Sequence, residues 1–339
     1  MFHVKHIAPH ILLINPWITD FSAYNFWIRP LGLLRIASLL RNLGFRVTLV
    51  DCLDCRIKRK KYQDGKFLRT KIDKPPPLKS IPKNYSRYGI SEEMLLKRLS
   101  VLEEKPDAIG ITSGMTYWYP GVFKAIEIIK QVFERVPVIL GGIYATLCYE
   151  HAQKHSGVDI VFKGREELEI LKLISGITGF EPRTPNSSTA EVSTQAGKLR
   201  TDLYPDFDLY PELDYVCIST STGCPFNCTY CASSFLEKCF SRRDSLGVVD
   251  EIEYWTRKHV VNNIAFYDDA LLIGPSKHFI PMAKELIKRR ISCNLHVPNA
   301  VHVREIDEEV ASLLFRSGFK TIRLGFETSN ETTQIETGG

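Results

Sequence analysis

The sequence predicts an α/β protein in two parts: a doubly wound, flavodoxin-like domain, then a second series of β/α units. Three observations carry that reading. Residues 10–170 alternate short apolar runs with amphipathic segments, the pattern of a parallel sheet with helices on both faces. Residues 176–212 are rich in Gly, Pro, Ser and Thr without sustained periodicity, which marks a linker. From residue 213 the alternation resumes. A length of 339 residues agrees, since domains average about 150 residues.

The strands of the first domain, 1–175, are HILLIN (10–15), RVTLVD (46–51), DAIGIT (107–112), PVILGG (137–142) and VDIVFKG (158–164). Helices are expected over 31–43, 92–104, 120–135, 145–156 and 166–175. In such a sheet ligands bind beyond the carboxyl ends of the strands. The residues there are Asn15-Pro16-Trp17, Asp51, Ser113-Gly114, Gly141-Gly142 and Gly164. Glycines at these places either let a ligand approach the backbone or simply make tight turns. The segment MTYWYPG (115–121) adds three rings, Tyr117, Trp118 and Tyr119, which either stack on a planar cofactor or fill the pocket.

The net charge of +5 is uneven. Residues 54–90 hold twelve Lys and Arg against Asp54, Asp64 and Asp73, a local +9, so the remainder is −4. This insert, 54–91, contains PPP at 75–77 and is expected to lack regular structure. Its Tyr62, Phe67, Tyr85 and Tyr88 leave phosphate or nucleic-acid binding open, although the body of the chain is not basic and nucleic acid is not the expected partner.

A composition of 44% hydrophobic and 24% charged residues is that of a globular protein. No apolar stretch approaches the roughly 18 residues of a membrane span, and the start has no export signal. A cytoplasmic protein is expected, and its nine cysteines are then more suited to metals or catalysis than to disulfides.

Three of them cluster. After the apolar run YVCISTS (215–221) comes GCPFNCTYCAS, with Cys224, Cys228 and Cys231 spaced CxxxCxxC. Three thiolates on one short loop can ligate three irons of a [4Fe-4S] cube and leave the fourth open. Structural zinc is the alternative. It asks for four closed ligands, and Cys239 and Cys217 would have to complete it at a spacing that matches no common zinc pattern.

GCPFNCTYCAS resembles the signature loop of radical S-adenosylmethionine (SAM) enzymes, including the aromatic Tyr230 before the third cysteine. That resemblance implies a [4Fe-4S] cluster on Cys224, Cys228 and Cys231, SAM on the fourth iron, and reductive cleavage to a 5'-deoxyadenosyl radical. The downstream order resembles the family's TIM-type barrel: helix 245–258, strand 262–269, helix 276–290, strand 292–299, helix 305–317 and strand 321–327. FYDDALL resembles the segment that meets the SAM amino group, which makes Asp268 and Asp269 candidates, with capping of a turn as the alternative. RLGFETSN resembles the segment where Glu327 would face SAM, with an ion pair to Arg as the alternative. Tyr267, His296 and His302 are candidate pocket residues; Asn299 and Arg323 read as structural.

The N-terminal half resembles the cobalamin-binding domain that precedes the barrel in one radical SAM subgroup, in PLGLLRIASLLRNLGFRVTLVD and VILGGIYATLCYEHAQKHSGVDIVFKGREE. The resemblance implies a cobalamin site near Ser113, Gly114, Gly141, Gly142 and Gly164. Two departures stand against it. The DxHxxG motif is missing, because Cys52, Leu53 and Asp54 follow Asp51, and MTYWYPG falls where the corrin needs space. Cobalamin is then held without a lower histidine, or not at all.

A radical SAM domain over 213–339 amounts to about four β/α units, so the barrel is expected to be incomplete. The expected function is that of a radical SAM enzyme, or its cofactor-loading part, with methyl transfer or a rearrangement if cobalamin binds. An electron donor such as flavodoxin or ferredoxin is implied, and the substrate, a small molecule or a peptide, is not legible. Two alternatives stay open: an iron–sulfur protein without catalysis, and an RNA-modifying enzyme reached through the basic insert.

Overall fold

A computed structural model describes residues 8–54, 65–182, 193–195, 198–200 and 203–337. The chain divides into two compact units. The first runs to Leu209; the second begins at Tyr210 and also takes in Phe26–Arg29.

In chain order the first unit holds β1 (His10–Asn15), β2 (Ile18–Asp20), α1 (Leu31–Asn42), β3 (Arg46–Asp51), β4 (Arg69–Lys71) and β5 (Ser86–Tyr88). It continues with α2 (Glu92–Ser100), β6 (Ala108–Ile111), α3 (Tyr119–Val132), β7 (Val138–Leu140), α4 (Ile143–Leu147), α5 (Tyr149–His155), β8 (Ile160–Val161) and α6 (Glu167–Thr178). A small hairpin of β9 (Ser193–Gln195) and β10 (Lys198–Arg200) follows. Five strands form one parallel sheet in the order β3-β1-β6-β7-β8, the flavodoxin-like order expected from the sequence.

β1 shows why the sheet is central. All six residues are buried, because alternate side chains point to opposite faces and both faces are covered. Leu12 and Ile14 enter a core with α2, α3 and α4, while Ile11 and Leu13 enter a second core with α1 and α6. Helix ends follow local chemistry. Ser91 Oγ accepts from Met94 N at the start of α2, where Glu92 and Glu93 suit the positive end of the helix.

Two expectations are corrected. The insert is not without regular structure: β4 and β5 pair with β2 as an antiparallel sheet, in the order β2-β5-β4. Phe67, Tyr85 and Tyr88 are buried, so these rings build a core and cannot stack on nucleic-acid bases; Tyr62 lies outside the described residues. Three-residue strands are too short to show a period of two among so many charges and prolines. The expected linker, 176–212, likewise belongs in part to the first unit. α6 runs on to Thr178 before left-handed Gly179, Phe180 packs edge-on against Phe45 at 4.8 Å, and Phe207 is wholly buried. The Asp206 carboxylate takes two hydrogen bonds from Arg41 Nη1, at 2.8 and 2.7 Å.

The second unit contains β11 (Val216–Ile218), β12 (Ser221–Thr222), α7 (Ser233–Leu236), β13 (Ser241–Arg242), α8 (Ser245–Lys258), β14 (Asn263–Phe266) and α9 (Phe279–Lys288). It ends with β15 (Asn294–Val301), α10 (Glu308–Arg316), β16 (Phe319–Leu324) and α11 (Glu331–Thr337). β11, β14, β15 and β16 are parallel neighbours in that order, joined by α8, α9 and α10. Successive parallel β/α units are the expected barrel segment.

A four-residue strap, Phe26–Arg29, is built into this unit. The Trp27 ring stacks on His296, with centroids 4.0 Å apart and planes at 22°. Tyr267 Oη donates to the Trp27 carbonyl and accepts from Arg29 N at 3.0 Å, while Tyr215 Oη donates to the Ile28 carbonyl at 2.6 Å. Arg29 lies over the Tyr210 ring at 3.9 Å. Trp27 holds a φ of 63°, a left-handed conformation that costs a non-glycine residue energy and persists here because its ring is buried.

Candidate functional site

The cysteine loop leaves the carboxyl end of β11 and is closed at its base by β12 and β13, which pair antiparallel through Ser221–Arg242 and Thr222–Ser241. Within it, Cys224 and Cys228 are half-buried and Cys231 is exposed. Burial pushes the Cys224 thiol up; the Phe226 amide opposes this, while Asp269, Cys228 and Cys231 add to it. Cys228 and Cys231 therefore both sit within electrostatic reach of Cys224.

Adjacent aspartates behave differently. Asp268 is 2% exposed and spends its carboxylate on the start of the cysteine loop. It accepts from Thr220 N at 3.0 Å, Thr220 Oγ1 at 2.8 Å and Ser221 Oγ at 2.5 Å. Desolvation raises its pKa, and the Ser221 and Thr220 donors pull it back. Thr220 gives its one hydroxyl proton to Asp268, so His278 Nε2, at 2.8 Å from Thr220 Oγ1, is the donor in that contact. Asp268 thus fixes the loop. Of the two candidate aspartates, Asp268 is buried and committed to the loop, and Asp269 is the one that is exposed. Ser233 Oγ donates to Asp269 Oδ2 at 3.2 Å, and Cys231 Sγ lies 3.3 Å from Ser233 Oγ.

Ser233 was missed by sequence reasoning; its one signal is a hydroxyl two residues after the last cysteine. Tyr230 is exposed, and its hydroxyl meets the Cys228 thiol; desolvation, then that contact, pushes it up to about 12. Glu327 lies within electrostatic reach of Tyr230. Of the other expected residues, Tyr267 and His296 are committed to the strap, and His302 packs edge-on against Phe226 at 4.8 Å. Asn299 Nδ2 donates to the Tyr267 and Asp268 carbonyls at 3.3 and 3.4 Å, tying β15 to β14 beside the site.

The donor set tests what the loop can hold. Among the described residues no three His, Cys, Asp or Glu side chains converge on one ion. A [4Fe-4S] cube takes one thiolate on each of three irons and leaves the fourth open, and Cys224, Cys228 and Cys231 on one loop are that donor set.

In the first unit, the residues after β6 and β7 are tied to one another at the carboxyl ends of the strands. Ser113 is buried, donates from Oγ to the Gly141 carbonyl at 2.6 Å and accepts from Ala145 N at 3.2 Å. Gly142 has a φ of 96°, and a Cβ there would strike the Ser113 carbonyl, so a turn needs this glycine. Trp118 lies on Gly114, where a Cβ would come within 2.9 Å of the ring, and its Nε1 donates to Asp20 Oδ2 at 3.1 Å. Gly141 faces open space, and Gly164 is covered by Glu166. The rings of MTYWYPG are thus partly filling: Trp118 roofs Gly114, while Tyr117 is 56% exposed.

A parallel sheet of flavodoxin-like order, followed by a three-thiol loop on a barrel segment, defines a class that joins a cobalamin-type domain to a radical SAM domain. Comparison agrees. Residues 93–173 match the B12 binding domain family and residues 218–339 match the Radical SAM superfamily, so a B12-binding domain precedes a radical SAM domain in this chain. The anaerobic magnesium-protoporphyrin IX monomethyl ester cyclase of Rubrivivax gelatinosus is 27% identical over 283 residues, covering 73% of this chain and 49% of the relative. An uncharacterized methyltransferase of Pyrococcus horikoshii is 23% identical over 265 residues, covering 71% and 56%. The chain spans about half the length of these curated relatives. Among solved structures, the radical SAM methyltransferase TsrM from Kitasatospora setae, with cobalamin and a [4Fe-4S] cluster bound, matches with a TM-score of 0.65 at 17% identity. The match covers 98% of this chain and 64% of that one, and it shows the fold.

Proposed function

We propose that this chain is the cofactor-loading part of a cobalamin-dependent radical SAM enzyme. The observation that carries the reading is the contact series Cys231, Ser233, Asp269 beside Cys224, on a loop whose base Asp268 pins. Cys224, Cys228 and Cys231 would hold three irons of a [4Fe-4S] cluster. Asp269 would receive the SAM amino group, and Glu327 and Tyr230 would border the rest of that molecule. When bound, the cluster supplies one electron for reductive cleavage of SAM to a 5'-deoxyadenosyl radical.

The protein's own work is positional. Thr220 and Ser221 fix Asp268, Asp268 fixes the loop, and Asn299 holds the adjacent strand end, so the reactants meet in one geometry. In the first unit the open face of Gly141 and the turn at Ser113 and Gly142 fit the close approach of a large ligand, and Gly114 and Gly164 would border it. Cobalamin there would carry a methyl group for transfer, or support a rearrangement. An acceptor of electrons at the cluster requires a donor of the flavodoxin or ferredoxin type, and the substrate would be a small molecule or a peptide.

The test is anaerobic reconstitution with iron and sulfide, then reduction and addition of SAM. 5'-Deoxyadenosine is expected, with about three to four irons per chain and loss of the brown colour in Cys224→Ala. Zinc in place of iron would overturn the cluster. A full cluster with no SAM cleavage would favour an iron–sulfur protein without catalysis. Retention of added hydroxocobalamin through gel filtration tests the first unit.

A further inference from the structure

A second constellation lies away from the cysteine loop. Residues 151 and 155 are histidines one turn apart on α5, the spacing that puts two side chains on one helix face. Their ring centroids are 4.7 Å apart. The two rings differ in support. His151 Nδ1 is held by Tyr144 Oη at 2.7 Å, and its ring lies edge-on to Tyr119 at 5.1 Å and parallel to Phe123 at 6.2 Å. Only Nε2 of His151 is left. His155 is exposed, and among the described residues it makes no hydrogen bond or ion pair, only the ring contact with His151.

We propose that His151 and His155 form a chelating site for a divalent transition ion of the zinc type. Two imidazoles at i and i+4 on a helix are a standard bidentate pair for such ions. Nitrogen donors favour zinc, nickel or copper over magnesium or calcium. The Tyr144 phenol, 2.7 Å from His151 Nδ1, is the orienting group: it occupies Nδ1, so Nε2 is the nitrogen that would take the ion, with the Nδ1–H donating to the phenol oxygen in that state. Among the described residues no third protein ligand joins the pair, so water completes the coordination.

The site has a structural use. α5 has seven residues and is separated from five-residue α4 by a break at Cys148, and helices this short are marginal on their own. An ion on His151 and His155 would tie the last turn of α5, through Tyr144, to α4. The aromatic packing accounts for His151 alone; the placement of His155 against it is what the ion explains.

The experiment is acylation of histidines by diethylpyrocarbonate in the full-length protein, mapped by mass spectrometry with and without zinc. Position-specific mapping keeps zinc on the cysteine loop from confusing the result. His151 and His155 should both be protected at least tenfold by saturating zinc, and Tyr144→Phe should raise the zinc concentration needed by about 10- to 100-fold. In His151→Ala the protection of His155 should vanish. Should that variant fail to fold, His155→Ala, at an exposed side chain, should bind one zinc fewer per chain by calorimetry. Equal labelling of His155 with and without zinc, or the same zinc stoichiometry in His155→Ala, would overturn the site.

Discussion

Trp27 lies flat on His296, 4.0 Å between ring centres, in a backbone conformation its side chain disfavours. The stack and the burial of the indole together outweigh that strain. Trp27→Ala should therefore destabilise the chain by about 3–5 kcal/mol in urea denaturation, the usual cost of emptying a large aromatic site. Trp27→Gly should lose about 1 kcal/mol less, because glycine removes the penalty of a positive φ. Equal losses would show that the backbone there is not strained.

Asp268 and Asp269 should separate stability from ligand binding. Asp268→Asn keeps the size but removes the charge that accepts from Thr220 and Ser221, at a cost of about 1–3 kcal/mol, with weaker cluster retention. Asp269→Asn should change the melting temperature little and weaken SAM binding. Thermal melts and SAM titration of reconstituted protein read the two effects; loss of SAM binding in neither variant would remove Asp269 from the site.

Two buried histidines set an acid limit. Burial, with Arg242 and Arg243 beside His278 and Arg323 beside His296, lowers both to about 4 from 6.5. Asp244 acts the other way on His278. Below pH 6.5 the unfolded chain takes up protons that the folded one refuses, so stability present above that pH is lost on descent toward pH 4. By pH 5 each histidine should cost on the order of 2 kcal/mol. Melts from pH 7 to 5 should show the loss, and His278→Gln should reduce the slope.

Gly114 and Trp118 should be coupled. Gly114→Ala puts a methyl group into the indole and should cost about 1–3 kcal/mol. Trp118→Ala in the same chain should return part of it, a double-mutant cycle with a coupling near 1 kcal/mol. Additive losses would mean that the ring is free to move aside.

Much of this structure was legible because its signals are local. The strand HILLIN and the helix 245–258 fall within the limits expected, since a continuous apolar run and a clear helical period each declare one element. The three cysteines were legible because their spacing lies within one loop. What escaped was set by distant partners. Nothing in FYDD says which aspartate faces Thr220 and which faces Ser233, because the answer lies in the pairing of β14 with β11. The sheet β2-β5-β4 sets β2 on β5 nearly seventy residues further along the chain, through strands of three residues each, and Trp27 reads in the sequence as one more aromatic near a proline.

The strap makes the barrel segment's boundary discontinuous along the chain. Contacts of Tyr267 with Trp27 and Arg29 span 240 and 238 positions. On a ribosome, Phe26–Arg29 emerges early and must wait for β14 to be synthesised before its partners exist. Such long-range closure slows folding relative to domains with local contacts. A polypeptide beginning at Tyr210 would carry every cysteine of the cluster loop yet leave Tyr267 and His296 without their packing. The natural unit for expression, folding and inheritance is therefore the chain from before residue 26 onward, and recombination between the two halves would have to carry those four residues across the join.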